Sequence, residues 1–406
     1  MQELGFILWA VTVMAALNVM MIAVTLGVKA ARGLRRRRIK ARIERLEAAL
    51  DYSLLSGEVH PALRHLGNRD LDLLAIMMVE YLSLLRGAER DRLVRLAKET
   101  GLVRAYFDEL RSPGRWRKAR AAENLGYFGG PEAVAPLASL LAHRDETLRA
   151  VAARALARIG TLETAEALAQ TLNDPSELTR LRMAENLERI GSPAVRSLAE
   201  TLERGNPSAR VLAARVLGNL RASEIRPALR EALLVESFPD LRAQAAFALG
   251  KIANPDDIPA LLEASADGAW PVRAQVASAL GAIGDISTIP TLQKLTVDRE
   301  WWVRLNASRA LANMGPAGEK ALARLLEGED RYTRDRTAAT LEERGITRRA
   351  VGELDAPGEK GEGARAMIRA MVRAGAVSYL ERLVRTLPDE GARDALRRTM
   401  REARES

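Results

Sequence analysis

Apolar positions along this chain repeat on two scales. Within short stretches they fall three and four residues apart, the spacing of one face of an α-helix. The stretches themselves come back at a fixed interval. Ala-Ala-Glu-Asn-Leu-Gly-Tyr-Phe-Gly at 121–129 returns as Ala-Ala-Arg-Ala-Leu-Ala-Arg-Ile-Gly at 152–160, as Ala-Ala-Phe-Ala-Leu-Gly-Lys-Ile at 245–252 and as Val-Ala-Ser-Ala-Leu-Gly-Ala-Ile-Gly at 276–284. With its leucine as a marker the series runs Leu125, Leu156, Leu187, Leu217, Leu249, Leu280, Leu311, Leu341 and then Met371, with gaps of 31, 31, 30, 32, 31, 31, 30 and 30 residues. A period of this size predicts a stacked-repeat architecture.

Each unit reads as two helices. The second starts near a polar or proline turn, carries Arg seven residues before the marker and small residues four and three before it, and completes its apolar face three residues after it. Gly follows at the fourth position in seven of the nine registers (Gly129, Gly160, Gly191, Gly284, Gly315, Gly345 and Gly375), where a helix takes a left-handed cap. First helices are plainer, as at 133–142, 165–172, 194–203 and 258–265. No unit buries its apolar stripe alone, so stacking supplies the core. The expected fold is all-α: a solenoid of about nine two-helix repeats of ~31 residues over 112–375, with divergent capping helices over 51–111 and closing helices over 376–406. A glycine-rich loop is expected at 352–363.

The Arg-x-x-Ala-Ala-x-x-Leu-Gly pattern of the second helix resembles the HEAT-like repeats of the phycobilisome-lyase type. That resemblance implies fold more than function, because the repeat family includes scaffolds, chromophore lyases, a hydroxylase and DNA glycosylases.

Ahead of the repeats, 4–28 form 25 consecutive positions without a formal charge. As a helix this run is roughly 37 Å long, enough for a hydrocarbon core of ~30 Å. The chain starts Met1-Gln2-Glu3, without the basic start of a cleaved signal. A retained transmembrane anchor over 1–28 is therefore expected. Lys29, Arg32, Arg35, Arg36, Arg37, Arg38, Lys40 and Arg42, in a basic juxtamembrane helix over 29–50, place the solenoid on the cytoplasmic side and against anionic lipid. A narrow apolar seam (Ile39, Ile43, Leu46, Leu50) continues from it. These eight also carry the charge of the chain. Of 62 basic and 53 acidic residues, removing the eight leaves 54 against 53. A nearly neutral body offers no broad basic face to nucleic acid, so none is expected as a partner.

Catalytic patterns are missing. The histidines, His60, His65 and His143, are not followed by Glu, and there is no His-Glu-x-x-His helix, Gly-x-Ser-x-Gly elbow or phosphate loop. Cysteine is absent, which excludes disulfides and thiolate metal sites. No cofactor, metal or catalytic residue is expected.

Binding residues are sought where the core does not need them: five and two residues before the marker and two after it, on second helices expected to line a concave face. These give Arg154, Arg158, Arg182, Arg189 and Arg215 in the earlier units, then Leu212, Gln244, Phe247 and Gln275 in the central ones. Apolar side chains beside amides suit an extended peptide or a partner helix. Trp270, Trp301 and Trp302 are read first as hydrophobic staples of the helix starts, with a partner-binding edge as the alternative. The Arg series Arg149, Arg180, Arg210, Arg242, Arg273, Arg304 and Arg334 is read as bridges to acids of neighbouring repeats. The leading expectation is a membrane-tethered cytoplasmic scaffold that binds a membrane-associated protein partner and so assembles or regulates a membrane enzyme or transporter. A lyase or isomerase of the phycobilisome type and a nucleic-acid-binding solenoid of the glycosylase type are the alternatives.

Overall fold

The computed structural model describes residues 2–405, with side chains from Arg36 onward (Asn68 excepted) and, before it, for residues 14, 17, 20–22, 24–29 and 32. Its described residues are helices, turns and loops without a strand. The chain divides into two compact units, Met1–Ile159 and Gly160–Ser406.

In the first unit one long helix, Gln2–Ser56, leads into Asn68–Leu84, Ala88–Glu99 and Leu102–Leu110, then the hairpin formed by Arg115–Phe128, Val134–Ser139 and Glu146–Ile159. The lower part of the long helix packs on its successors. Leu46, Ala49, Leu50 and Ser53 are buried, Ile43 is half-buried and Ile39 is exposed, so the apolar seam works only in its second half. The Tyr81 hydroxyl donates to Asp51 at 2.7 Å. That bond, with partial burial, pushes the phenol up to about 12.

The uncharged run at 4–28 is not a helix of its own. It is the leading part of Gln2–Ser56, continuous with the charged segment, and most of its side chains lie outside the described residues, as does that of Arg35. Among the described residues no helix is long and apolar enough to cross a membrane. This overturns the expected transmembrane helix, the single-pass localisation and the tethering drawn from it. The lipid-facing role of Lys29, Arg32, Arg36, Arg37, Arg38, Lys40 and Arg42 loses its basis with them. These side chains are exposed, and Arg42 approaches Asp70 at 3.7 Å.

The second unit is a stack of helical hairpins in chain order. Its second helices are Glu177–Ile190, Pro207–Asn219, Pro239–Ile252, Trp270–Ile283, Trp301–Ala312, Arg331–Glu343 and Glu359–Arg373. Across both units all nine markers, from Leu125 to Met371, lie in a second helix and are fully buried. First helices are short, and several open on a 3-10 turn, as at Ser192–Ala194 and Pro255–Asp257. Asp257 is wholly buried, held by Arg226 at 2.8 and 3.1 Å and by Arg230 at 2.8 Å. The glycine-rich stretch at 352–363 is only partly a loop, because the helix Glu359–Arg373 starts inside it.

Two glycine registers shape the stack. Six of the seven glycines four residues after the marker have positive φ, and Gly129 passes that role to Gly130 (φ 62). The two registers with no glycine there hold Arg221 (φ 53) and Ala253 (φ 56), the only non-glycine residues of positive φ among those described. Directly after the marker, Gly126 faces Ala155, and in the second unit Gly218, Gly250 and Gly281 face Ala248, Ala279 and Ala310. A Cβ on Gly218 would lie 2.6 Å from Ala248 Cα, and one on Gly281 2.5 Å from Ala310 Cβ. At these points adjacent second helices are nearly in backbone contact.

Candidate partner-binding groove

The expected binding residues do not share one fate. Arg154 and Arg158 belong to the first unit. Arg154 is exposed, while Arg158 is half-buried over the Tyr127 ring at 4.2 Å and 3.4 Å from Glu123. In the second unit Arg182 and Arg189 are exposed and Arg215 is half-buried. Leu212, read as a groove residue, is core instead at 9 % exposure. Phe247 is half-buried, with the Lys251 ammonium over its ring at 5.4 Å.

Gln244, Gln275, Trp270 and Trp302 come together. They line one cavity of about 400 Å³ with Val211, Asp240, Ala243, Pro271, Ala274 and Asn306. Two residues expected in the groove and two expected at the edge thus line one cavity. Its logic is helical: the residues nine before the marker (Asp240, Pro271, Trp302) and five before it (Gln244, Gln275, Asn306) sit four apart on one face of each second helix. Trp301 stays outside the lining and packs edge-on against Trp302, with centroids 4.7 Å apart and planes at 78°. Trp270, Trp301 and Trp302 are 40 %, 47 % and 54 % exposed.

Asp240 and Asn306 were missing from the sequence-derived set. Asn306 shares the register of Gln244 and Gln275, so that register carried the signal. Its side-chain amide donates to the Ala274 carbonyl at 3.0 Å, across the gap between two repeats. Gln244 keeps a buried Oε1 with no hydrogen-bond partner.

The arginine series positions the tryptophans. Arg242 makes a two-pronged bond to Asp267 (2.7 and 2.9 Å), and Arg273 makes the same bond to Asp298 (2.7 and 2.8 Å). Each arginine also donates to two backbone carbonyls in the turn before its own helix, which for Arg273 are those of Asp267 (2.8 Å) and Gly268 (3.2 Å). Asp267 and Asp298 in turn accept from the backbone N–H of Ala269 and Glu300, at 2.8 and 2.9 Å, just before Trp270 and Trp301. The turns presenting the indoles are therefore clasped from the preceding repeat and from their own. Hydrogen bonding from Arg242 holds the Asp267 carboxyl below the usual carboxylate range. Burial pushes Asp298 up, but the bonds from Arg273 and the Glu300 amide outweigh it, leaving Asp298 low as well. Elsewhere in the series Arg210 pairs with Glu236, whereas Arg149, Arg180 and Arg334 bind backbone carbonyls of their own turns.

Among the described residues no group of three or more histidine or carboxylate side chains is placed to hold a metal. The cavity offers amides, one carboxylate and two indoles, a set suited to binding.

Comparison with known proteins agrees on the fold. None of the curated proteins matches the chain significantly. Similar solved structures include an engineered protein (21 % identity, 74 % of this chain and 98 % of that one, TM-score 0.36). The complex of CpcE and CpcF of phycocyanin lyase from Nostoc is another (21 %, 59 % and 94 %, 0.28). A third is Kap121p bound to RanGTP (14 %, 84 % and 45 %, 0.42), of whose length this chain spans less than half. The family model for HEAT repeats matches residues 103–188, 195–270 and 263–342. With more than half of its length matched in this way, the chain belongs to the HEAT-repeat proteins.

Proposed function

We propose that this chain is a scaffold that holds an extended segment of a protein partner in the groove built by Gln244, Gln275, Asn306, Trp270 and Trp302. The observation that carries the reading is the convergence of three amides from successive repeats with two half-exposed indoles on one cavity. Packed helices lie roughly 10 Å apart and an extended chain advances about 3.3 Å per residue. An amide on each repeat therefore meets the backbone of such a segment at every third residue. Side-chain amides both donate and accept, as a peptide backbone requires, and indoles supply contact area at low entropic cost.

A photo-crosslinking residue at position 275, in cells, tests this. The expected product is an adduct with a protein, mapped to a short segment of it, and absent when the crosslinker replaces Glu263, an exposed residue on a first helix. Equal labelling from both positions, or none from 275, refutes the reading.

A further inference from the structure

We infer that the cavity takes the cationic end of a lysine or arginine, so that the bound segment carries a basic residue where it passes Trp270 and Trp302. This deepens the peptide-groove reading and rests on it.

The charge inventory points this way. The chain has 62 lysines and arginines, yet none lines this cavity, whose single ionisable group is Asp240. Asp240 is exposed at the lip and has no ion pair or hydrogen bond among the described residues, while most other acids of the central turns are already bridged. Its charge is therefore available. The Gln244 Oε1 is buried without a donor. Asn306 commits its amide nitrogen to Ala274 and keeps its oxygen free. The wall thus sets a buried acceptor that has no donor beside a negative charge that has no counter-ion, a match for a guanidinium or ammonium, which only donates. The indoles complete the fit: a cation over an indole face is attracted by the ring quadrupole, most strongly where water is displaced. Trp301, packed edge-on against Trp302, holds that ring before any ligand arrives.

The test is selection of a random dodecapeptide display library on the full chain, followed by fluorescence anisotropy with the synthetic winners. Selected peptides are expected to share a basic residue. Replacing it with its neutral isostere (citrulline for arginine, acetyl-lysine for lysine) is expected to weaken binding about tenfold. Asp240→Asn should remove a similar factor, with the two losses not multiplying, and with the melting temperature little changed because Asp240 makes no ion pair or hydrogen bond and only its charge in the first helical turn is lost. If winners lack a basic residue, or tolerate the neutral isostere within twofold while Gln275→Ala still weakens them, the cation site is refuted and the groove stands. If no peptide is selected, or binding ignores both Gln275→Ala and Trp302→Ala, the groove reading falls and this inference with it.

Discussion

Two neighbouring parts of the second unit share a topology and differ in how they are joined. Between Pro207–Asn219 and Trp301–Ala312, second helices meet through Gly218, Gly250 and Gly281 against alanines, and their arginines reach carboxylates of the next repeat. In Glu177–Ile190 the position of those glycines is Glu188, which instead accepts a hydrogen bond from Asn219 at 3.2 Å. Arg180 binds only the carbonyls of Asp174 and Pro175, and its Nε has no partner. Close approach with charged clasps goes with an amide and indole face, and polar spacing goes with a face of arginine and glutamate. The repeat fixes the helices, and the residues between repeats fix which side chains converge.

The sharpest way to break that contrast is to remove a clasp. Arg273→Ala strands Asp298, whose side chain is only 11 % exposed, and should cost about 3 kcal/mol. Arg180→Ala, which gives up hydrogen bonds to carbonyls, should cost about 1 kcal/mol. Equal losses in denaturant titrations would erase the distinction. Next comes Gly281→Val, whose first added carbon collides with Ala310. It should destabilise by about 2 kcal/mol and weaken partner binding, whereas Glu188→Ala should change little, and a Gly281→Val protein of normal stability would show that the tight contact does not matter.

Acid provides a milder probe. Because Asp267 and Asp298 are held low in the folded state, their bridges contribute fully above the unfolded value of about 4 and are lost as pH falls below it through the folded values. Melting temperature should hold from pH 7 to 5 and drop towards pH 3, and Asp267→Asn should remove part of that drop. A variant with an undiminished drop would place the acid sensitivity elsewhere. The smallest expected effect is a gain. Ala253 stands in the left-handed region (φ 56, ψ 47) where other units use glycine, so Ala253→Gly should stabilise by about 1 kcal/mol, and Gly284→Ala should cost about the same. A destabilised Ala253→Gly would mean that the methyl group packs usefully enough to offset the strain.

The repeat register was legible because its core positions tolerate so little. A buried Leu beside small residues recurs wherever helices must stack, and every marker from Leu125 to Met371 is buried as the spacing implies. The caps were legible for the same reason, since only glycine is unstrained at positive φ, and the two exceptions are the two registers that lack it. The cavity was half legible. Gln244, Gln275, Trp270 and Trp302 were named, but in two separate sets. Their union depends on the offset between successive helices, which the Gly–Ala contacts set and periodicity alone does not. Leu212, named for the groove on its register, is core, and the register alone left that open. The basis of the N-terminal anchor was weakest, because an absence of charge over 4–28 does not say where a helix ends, and the helix runs on to Ser56.

Each aspartate that steadies an indole-bearing turn accepts through its side chain from the arginine one repeat earlier, and Asp267 offers its backbone oxygen to the arginine of the helix its own turn begins. Severing the chain between Ile283 and Asp298 would therefore leave the guanidinium of Arg273 stranded at the new end, with its counter-charge gone. Fragments of this protein are not free to stop at any hairpin: a cut there ruins the last fastening, and a binding fragment that runs past Asn306 to complete the groove keeps it.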